Sequence, residues 1–238
     1  MEEKNKKVLG KTKKFPLWIL IVILVAIVLR ILVPLFVRNQ DTYPFFEQIP
    51  GEPVMMKPVI YLYPEKEEHV FVKVSPPSGF SVTYPPYQNG WSVTAFPGGR
   101  IVNESDGKEY SYLYWEGNPD SSAKYDLTKG FVVKGSDTAT FFQKTLADIG
   151  LEPKEYNEFI VYWLPQMQKN TFNLIHFATK EEYSERVPMI VEPKPDSLLR
   201  VFMVFKPLDN SVKVEEQTFE KFQREGFSVL EWGGSELK

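Results

Sequence analysis

The amino-acid sequence predicts an α+β protein in which a single N-terminal transmembrane helix is followed by a strand-rich globular domain. Three observations indicate this class. Residues 15–37 are almost continuously apolar, residues 58–134 alternate between strand-like runs and turn signals, and the remainder mixes helical and strand patterns. We therefore expect an antiparallel sheet or sandwich in the first half of the domain and a mixed α+β arrangement in the second half.

The N-terminal segment is typical of an uncleaved membrane anchor. Residues 1–14 contain six lysines and two glutamates, and residues 15–37 read FPLWILIVILVAIVLRILVPLFV. A helix of this length would rise about 34 Å, enough to cross a hydrocarbon core of about 30 Å. The run is longer than the apolar part of a signal peptide, and no small-x-small cleavage site follows it. By the positive-inside rule, we expect the basic tail in the cytoplasm and the C-terminal domain outside, in a single-pass arrangement.

Arg30 is the one charged residue within this span. A charge deep in a bilayer costs about 2.5–3.5 kcal/mol on insertion scales, so its side chain is expected either to extend to the interface or to face another helix. The sequence leaves both alternatives open, and with them the oligomeric state.

Residues 38–56 follow as a proline-containing stalk, and residues 57–234 form the expected globular outer domain. The chain from residue 39 onward holds 20 Lys and Arg against 29 Asp and Glu. This acidic balance argues against a nucleic-acid partner, because contacts to phosphates need clustered basic side chains.

Strand patterns dominate the first half of this domain. KPVIYLYP at 57–64 is a short apolar run that ends at a proline, and HVFVKV at 69–74 alternates with its valines on one side. Further strand patterns are FSVTY, WSVTAF, RIVN and KEYSYLYWEG, with turn signals at Asn89-Gly90, Pro97-Gly98-Gly99 and Asp106-Gly107.

The second half mixes helical and strand patterns. A helix is expected from Ser136 or Asp137 to Gly150, a short helix over 179–186, and a third over 214–226. Strands are expected at EFIVYW (158–163), FNLIHF, MIVEP, LLRVFMVF and FSVLEW.

Several classes of chemistry are excluded or left without support. The chain has no cysteine and only two histidines, His69 and His176, so thiol catalysis and Cys-ligated metals are excluded. No phosphate-binding glycine loop, HExxH motif or GxSxG motif is present. We therefore predict no cofactor and no metal site.

Four carboxylates lie where apolar runs end, which is where site residues are often held. They are Glu116, Glu158, Asp196 and Glu231. Two carboxylates in an aromatic cleft are the minimum for glycoside hydrolysis, so these four are the candidate catalytic residues. The alternative is that they are ordinary polar residues at strand ends, and the sequence favours it.

Tyrosines form the second group of candidates, this time for ligand binding. Tyr110, Tyr112 and Tyr114 fall on one face of the predicted strand KEYSYLYWE, and Tyr61 and Tyr63 repeat the spacing in KPVIYLYP. Such rings would stand about 6.6–6.8 Å apart. An exposed row could stack on sugar rings, whereas a buried row would pack between sheet and helix with its hydroxyls at the edge.

Five strings together resemble an uncharacterised family of bacterial and fungal proteins. They are KPVIYLYP (57–64), SYLYWEG (111–117), EFIVYWLPQM (158–167), RVFMVFKPL (200–208) and GFSVLEWGG (226–234). The resemblance implies that residues 57–234 are one unit. It implies no activity, cofactor or site residue.

The sequence thus favours a membrane-anchored outer-surface domain that acts as a non-catalytic binding module for envelope glycan or a protein partner. One alternative is a carboxylate-dependent envelope hydrolase of glycosidase type. Another is a structural or assembly component of an envelope complex, for which Arg30 would mark a helix partner.

Overall fold

The computed structural model describes residues 53–238, which form three layers: two helices, a seven-stranded sheet and a five-stranded sheet. The strands are β1 (Met56–Tyr63), β2 (Glu68–Val74), β3 (Phe80–Tyr84), β4 (Trp91–Ala95), β5 (Ile101–Asn103), β6 (Glu109–Tyr110), β7 (Leu113–Gly117), β8 (Phe131–Lys134), β9 (Phe172–Ala178), β10 (Met189–Glu192), β11 (Ser197–Leu208) and β12 (Ser228–Glu236). The helices are α1 (Thr138–Ile149), α2 (Pro153–Met167) and α3 (Lys180–Arg186).

The seven-stranded sheet is the middle layer, with the strand order β3-β7-β1-β12-β11-β9-β8. Its pairs are antiparallel except for β11 and β12, which run parallel. These two central strands are covered on both faces, which is why LLRVFMVF and FSVLEW are nearly continuous apolar runs rather than alternating ones. The sheet therefore buries one core against each of its faces.

Helices α1 and α2 cover one face of this sheet. The buried positions Phe142, Leu146 and Ile149 recur at helical spacing in α1, which confirms the predicted helix. It ends at Gly150, whose φ of 122° is rarely adopted by residues with a side chain. Helix α2 begins with Pro153 in its first turn, where a missing N–H costs nothing.

The five-stranded sheet covers the other face, in the order β10-β2-β4-β5-β6. Alternating residues of β2 and β4, among them Val70, Val72 and Val93, point into the core between the sheets. They pack there against Leu113 and Trp115 of β7. Helix α3 reaches the same core, because Tyr183 stacks on Phe202 with ring centroids 4.6 Å apart.

The predicted fold class is wrong in the way it divides the domain. The first half does not form a sheet of its own, since β1, β3 and β7 join the seven-stranded sheet and β10 from the second half joins the five-stranded sheet. Turn signals specify local chain reversals, but they do not specify which distant strands pair.

The predicted N-terminal transmembrane helix is not part of the described fold either. Between residues 53 and 238, no helix is both long enough and apolar enough to cross a membrane. The predicted tail (1–14), the predicted span (15–37) and the stalk up to residue 52 lie outside the described residues.

Two element predictions within the domain are also wrong. Residues 158–163 belong to α2 rather than to a strand, because Phe159, Trp163 and Met167 are buried at a helical spacing that outweighs their strand propensity. Residues 214–226 form no helix; they form an irregular strap, whose Phe219 packs against the core on the helical face. Gln217 holds this strap by hydrogen bonds to both backbone groups of Phe177.

Candidate functional site

A cleft runs along α2 where the helix faces β1 and the chain around β6 and β7. Two compartments, of about 410 and 500 Å³, meet at Glu158, and we call them together the Glu158 cleft. The polar compartment is lined by Tyr61, Tyr63, Gly98, Gly99, Arg100, Glu109, Tyr110, Ser111, Lys154 and Glu158. The apolar compartment is lined by Lys57, Tyr112, Asn157, Glu158, Val161 and Tyr162.

The Glu158 carboxylate is held at the junction by a tyrosine of the sheet. The Tyr61 hydroxyl donates to Glu158 Oε2 over 2.9 Å. Burial, and secondly the charge of Glu158, raise the pKa of Tyr61 far above its usual value, so the phenol stays protonated and donates. The exposed carboxylate keeps its other oxygen, Oε1, free to accept a hydrogen bond from a ligand.

The floor of the polar compartment is a pair of stacked rings. Tyr61 and Tyr63 lie 6.0 Å apart with their planes 7° from parallel, as expected for residues two apart on one strand face. Gly99 of the β4–β5 turn lies directly against the Tyr63 ring, where a Cβ would come within 2.5 Å of it. Only glycine lets the turn approach this closely at a φ of 95°.

The charged side chains of the polar compartment balance one another. Arg100 donates to Glu109 over 2.7 Å, and Lys154 Nζ lies 4.2 Å from the centre of the Tyr63 ring. Lys154 and Glu158 supply a cation and an anion from successive turns of α2. The compartment therefore offers donors and acceptors without a net charge.

A β-bulge places Lys57 in the apolar compartment. The pairing of β1 with β12 shifts between Met56 and Val59, and Lys57 adopts a φ of 57°, which is uncommon for a residue with a side chain. Its ammonium group lies 5.3 Å from the ring centre of Tyr112 and 4.9 Å from that of Tyr114. Such strained backbone persists where the surrounding structure holds it, often at functional sites.

A buried ionic cluster fixes α2 against the sheet beside the cleft. Glu155 is fully buried and accepts from Arg224 through both oxygens, over 2.9 and 2.5 Å, and from the Tyr63 hydroxyl over 2.7 Å. It also accepts from the Glu152 backbone N–H over 2.7 Å. Burial and the bond to Glu155 raise the pKa of Tyr63 well above its usual range. The cluster therefore positions the Tyr63 ring and the first turn of α2.

The predicted tyrosine row is only partly correct. Tyr112 lines the apolar compartment and Tyr114 lies beside Lys57. Tyr110 lines the polar compartment from β6 of the other sheet, because the chain bends at Ser111. Tyr110 donates to Asp106 over 2.6 Å, and this bond raises the pKa of Tyr110 to about 12. Tyr61 is buried, and the other four rings are half-buried. KEYSYLYWE is thus two strands, and its three tyrosines do not share one strand face.

The four predicted carboxylates lie in different surroundings. Glu158 alone lines the cleft. Glu231 is sealed in an ion pair with Arg200, and Asp196 accepts from the Phe227 backbone N–H over 2.7 Å, in a separate groove. Glu116 lies on β7, two residues from Tyr114, and contributes, after burial, to raising the pKa of that phenol. The structure does not gather them into one site.

Neither histidine lines the cleft. His176 is buried and its Nδ1 lies 2.8 Å from the Lys129 carbonyl oxygen, whereas His69 is exposed beside Glu104. The sequence Asn103-Glu104-Ser105 matches a glycosylation acceptor pattern, but Asn103 is 2% exposed and its amide donates to Ser105 and Asp106. In the described part of the chain, no three acidic or histidine side chains are grouped to hold a metal ion.

Sequence reasoning missed Lys57, Asn157, Glu155 and Arg224. The positive φ of Lys57 leaves no trace in a sequence pattern, and the Glu155–Arg224 pair joins residues 69 apart. Only Glu155 had a local signal, since Glu152 and Glu155 form a capping box at the start of α2. That signal was lost because residues 158–163 were predicted as a strand.

Comparison with known proteins identifies one similar chain. An uncharacterized protein from the bglA 3′ region of Butyrivibrio fibrisolvens is 43% identical over 67 residues, which is 26% of this chain and 67% of that protein. No family model matches the chain, and no solved structure matches it. The resemblance to a bacterial and fungal family stays a prediction.

Proposed function

The chain belongs to the same family as this uncharacterized protein, and because that relationship names no activity, we propose a function from the cleft itself. The domain is a non-catalytic binding module that holds an oligosaccharide along α2, across both compartments of the Glu158 cleft. The observation that carries the proposal is the meeting of two aromatic-lined compartments at one hydrogen-bonded, exposed carboxylate.

Sugar chemistry fits this arrangement in two ways. A pyranose ring has apolar faces, which pack on aromatic side chains such as those of Tyr63 and Tyr112, and hydroxyls at its edge. The Glu158 carboxylate accepts hydrogen bonds from such hydroxyls, while Lys154 and Arg100 donate them. Charge-assisted hydrogen bonds of this kind are stronger than neutral ones.

The size of the cleft favours a chain over a single sugar. Lys154 and Val161 lie in the two compartments and are seven residues apart on α2, which is about 10 Å along the helix axis. Both compartments have volumes in the range of ordinary small-molecule sites. We therefore expect a linear oligosaccharide to contact both.

The hydrolase alternative has weaker support. Glycoside hydrolysis requires a second carboxyl group within about 5–10 Å of the first, across the bond to be cleaved. Glu109 is the other carboxylate that lines the cleft, and it is engaged with Arg100. The binding interpretation needs no second carboxylate. The outer-surface location depends on residues 1–37 and stays a prediction.

The test measures binding and cleavage together. The purified full-length protein is mixed with insoluble cell-wall polysaccharides, and both co-sedimentation and released reducing sugar are measured. We expect binding without release, and an affinity about tenfold lower for Glu158→Gln, because a neutral amide accepts a weaker hydrogen bond. Glu181→Gln is the matched control, since Glu181 is equally exposed but lies on α3 outside the cleft.

Each other outcome is decisive. Absence of binding to every polysaccharide, or the same affinity for both variants, would refute the proposal. Release of sugar that Glu158→Gln abolishes would replace it with the hydrolase alternative. If no polysaccharide is bound, capture of a protein partner by the full-length chain becomes the next experiment.

A further inference from the structure

We propose that the apolar compartment of the Glu158 cleft is a subsite for an N-acetylated hexosamine unit. The inference rests on the proposed oligosaccharide binding and names the class of sugar. It is carried by the unusual neighbours of Glu158 on the outward face of α2, which combine an unpaired amide with an exposed aliphatic side chain.

Asn157 and Val161 lie one turn apart on α2, so their side chains neighbour each other on the helix surface. Val161 is 74% exposed, the largest exposure among the large hydrophobic residues of the described chain. The Asn157 side-chain amide is exposed and makes no hydrogen bond within residues 53–238. Helix stability explains neither choice, because valine and asparagine are both weak helix formers.

Tyr112 and Lys57 line this compartment opposite α2, and Tyr162 lies next to Val161 on α2 itself. Tyr112 and Tyr162 are half-buried, and the Lys57 ammonium group lies 5.3 Å from the centre of the Tyr112 ring. Lys57 and Glu158 are the two charged groups that line the compartment, and their charges are opposite. The compartment is therefore complementary to an uncharged ligand that presents both apolar and amide groups.

An acetamido group has this composition. Its methyl group matches the apolar surface of Val161 and Tyr162, its N–H can donate to the Glu158 carboxylate or the Asn157 carbonyl oxygen, and its carbonyl oxygen can accept from the Asn157 amide. A plain sugar hydroxyl would leave the valine surface unmatched. The polar compartment, lined by Arg100, Glu109 and Lys154, offers no comparable aliphatic side chain.

The decisive comparison uses two four-unit chains that differ only at carbon 2. Chitotetraose carries an acetamido group where cellotetraose carries a hydroxyl, and both have the same linkage. Titration calorimetry with the full-length protein is expected to show binding of chitotetraose about tenfold tighter, the size expected for one buried methyl group together with one amide hydrogen bond.

Variants locate this preference in the apolar compartment. Val161→Ser and Asn157→Ala are each expected to reduce the tenfold ratio to about threefold or less, because each removes a contact to the acetamido group. Ile190→Ser is the matched control, because Ile190 is 50% exposed on β10, outside the cleft. It should leave the ratio unchanged.

The possible failures are distinguishable. Equal affinity for the two chains overturns the N-acetyl subsite and leaves the proposed oligosaccharide binding standing. A ratio that survives both variants also overturns the assignment to this compartment. Binding of neither chain, nor of any polysaccharide in the sedimentation experiment, overturns the proposed function itself.

Discussion

A glutamate is buried on one face of the seven-stranded sheet, and another is exposed on the opposite face. Glu231, on the face covered by the five-stranded sheet, is fully buried: Arg200 donates to it over 2.6 Å and the Trp115 indole over 3.1 Å. Glu158, across the helical face, is exposed, and the structure gives it one tyrosine donor. Both glutamates lie at the end of an apolar run in the sequence, yet Glu231 is enclosed and Glu158 is accessible to a ligand.

This difference shows how the packing on each face determines whether a carboxylate needs a partner within the protein. A carboxylate removed from water needs a close counter-charge and hydrogen-bond donors, and Arg200 supplies both. Burial lowers the pKa of that guanidinium, but the charge and hydrogen bond of Glu231, together with Tyr183, raise it above its usual value. The other face leaves a gap between α2 and the strands, where a carboxylate can keep an unfilled acceptor. The face that is less completely packed, between α2 and the strands, is therefore the one that can bind a ligand.

The largest expected effect comes from the enclosed face. Glu231→Gln leaves the Arg200 charge buried and unpaired, and should lower the free energy of unfolding by about 3–5 kcal/mol. Glu158→Gln, the same substitution in the cleft, should change it by less than about 0.5 kcal/mol. Urea denaturation of the two variants and the wild type measures both values.

A double substitution shows whether the loss comes from the unpaired charge. Replacing both partners, as Arg200→Met with Glu231→Leu, should recover much of the stability lost in Glu231→Gln, because apolar side chains of similar volume often replace a buried ion pair well. Similar stabilities for Glu231→Gln and Glu158→Gln would refute the contrast between the two faces.

A smaller loss of stability is expected for Glu155, because its surroundings are intermediate between those of Glu231 and Glu158. Glu155 is buried but its partner Arg224 keeps 21% of its side chain exposed, so water relieves part of an unpaired charge. We expect Glu155→Gln to lower the free energy of unfolding by about 1.5–3 kcal/mol, the range for losing hydrogen bonds to a charged group. Thermal and urea unfolding measure it, and a loss as large as that of Glu231→Gln would contradict the gradation.

The smallest effect concerns alkaline pH. The pKa of Tyr61 is raised in the folded protein by burial and by Glu158, so folding favours the protonated phenol. Its contribution is complete below the unfolded pKa of about 10 and is lost as pH rises above it, at about 1.4 kcal/mol per pH unit. The phenol of the unfolded chain is half ionized at pH 10, so Tyr61→Phe should weaken the fall in stability between pH 10 and 11 by about 1 kcal/mol.

The same measurement on Tyr63→Phe sharpens the comparison, because burial and Glu155 raise the pKa of Tyr63 in the same direction. Each variant should remove a similar part of the pH dependence in a series of urea unfolding experiments. An unchanged slope in Tyr61→Phe would show that this phenol ionizes without unfolding the protein.

Much of the local structure could be predicted from the sequence. β1, β2, β4 and α1 coincide with the patterns at 57–64, 69–74, 91–96 and 136–150, because period-two and helical spacing reflect which residues face a core. Helix α2 could not be predicted in the same way, since Phe159, Ile160 and Trp163 combine strand propensity with a helical burial pattern. For the candidate site, the sequence predicts Glu158 and the tyrosines but not the residues that contact them.

The sequence by itself determined where most of the strands and helices α1 and α3 lie, because those features depend on neighbouring residues. Only the tertiary structure decided which sheet each strand joins and which carboxylate is enclosed. Glu231 depends on Arg200, 31 residues away, and Glu158 on Tyr61, 97 residues away. Burial is produced by whole layers meeting, so no local pattern around either glutamate could distinguish the sealed charge from the open one.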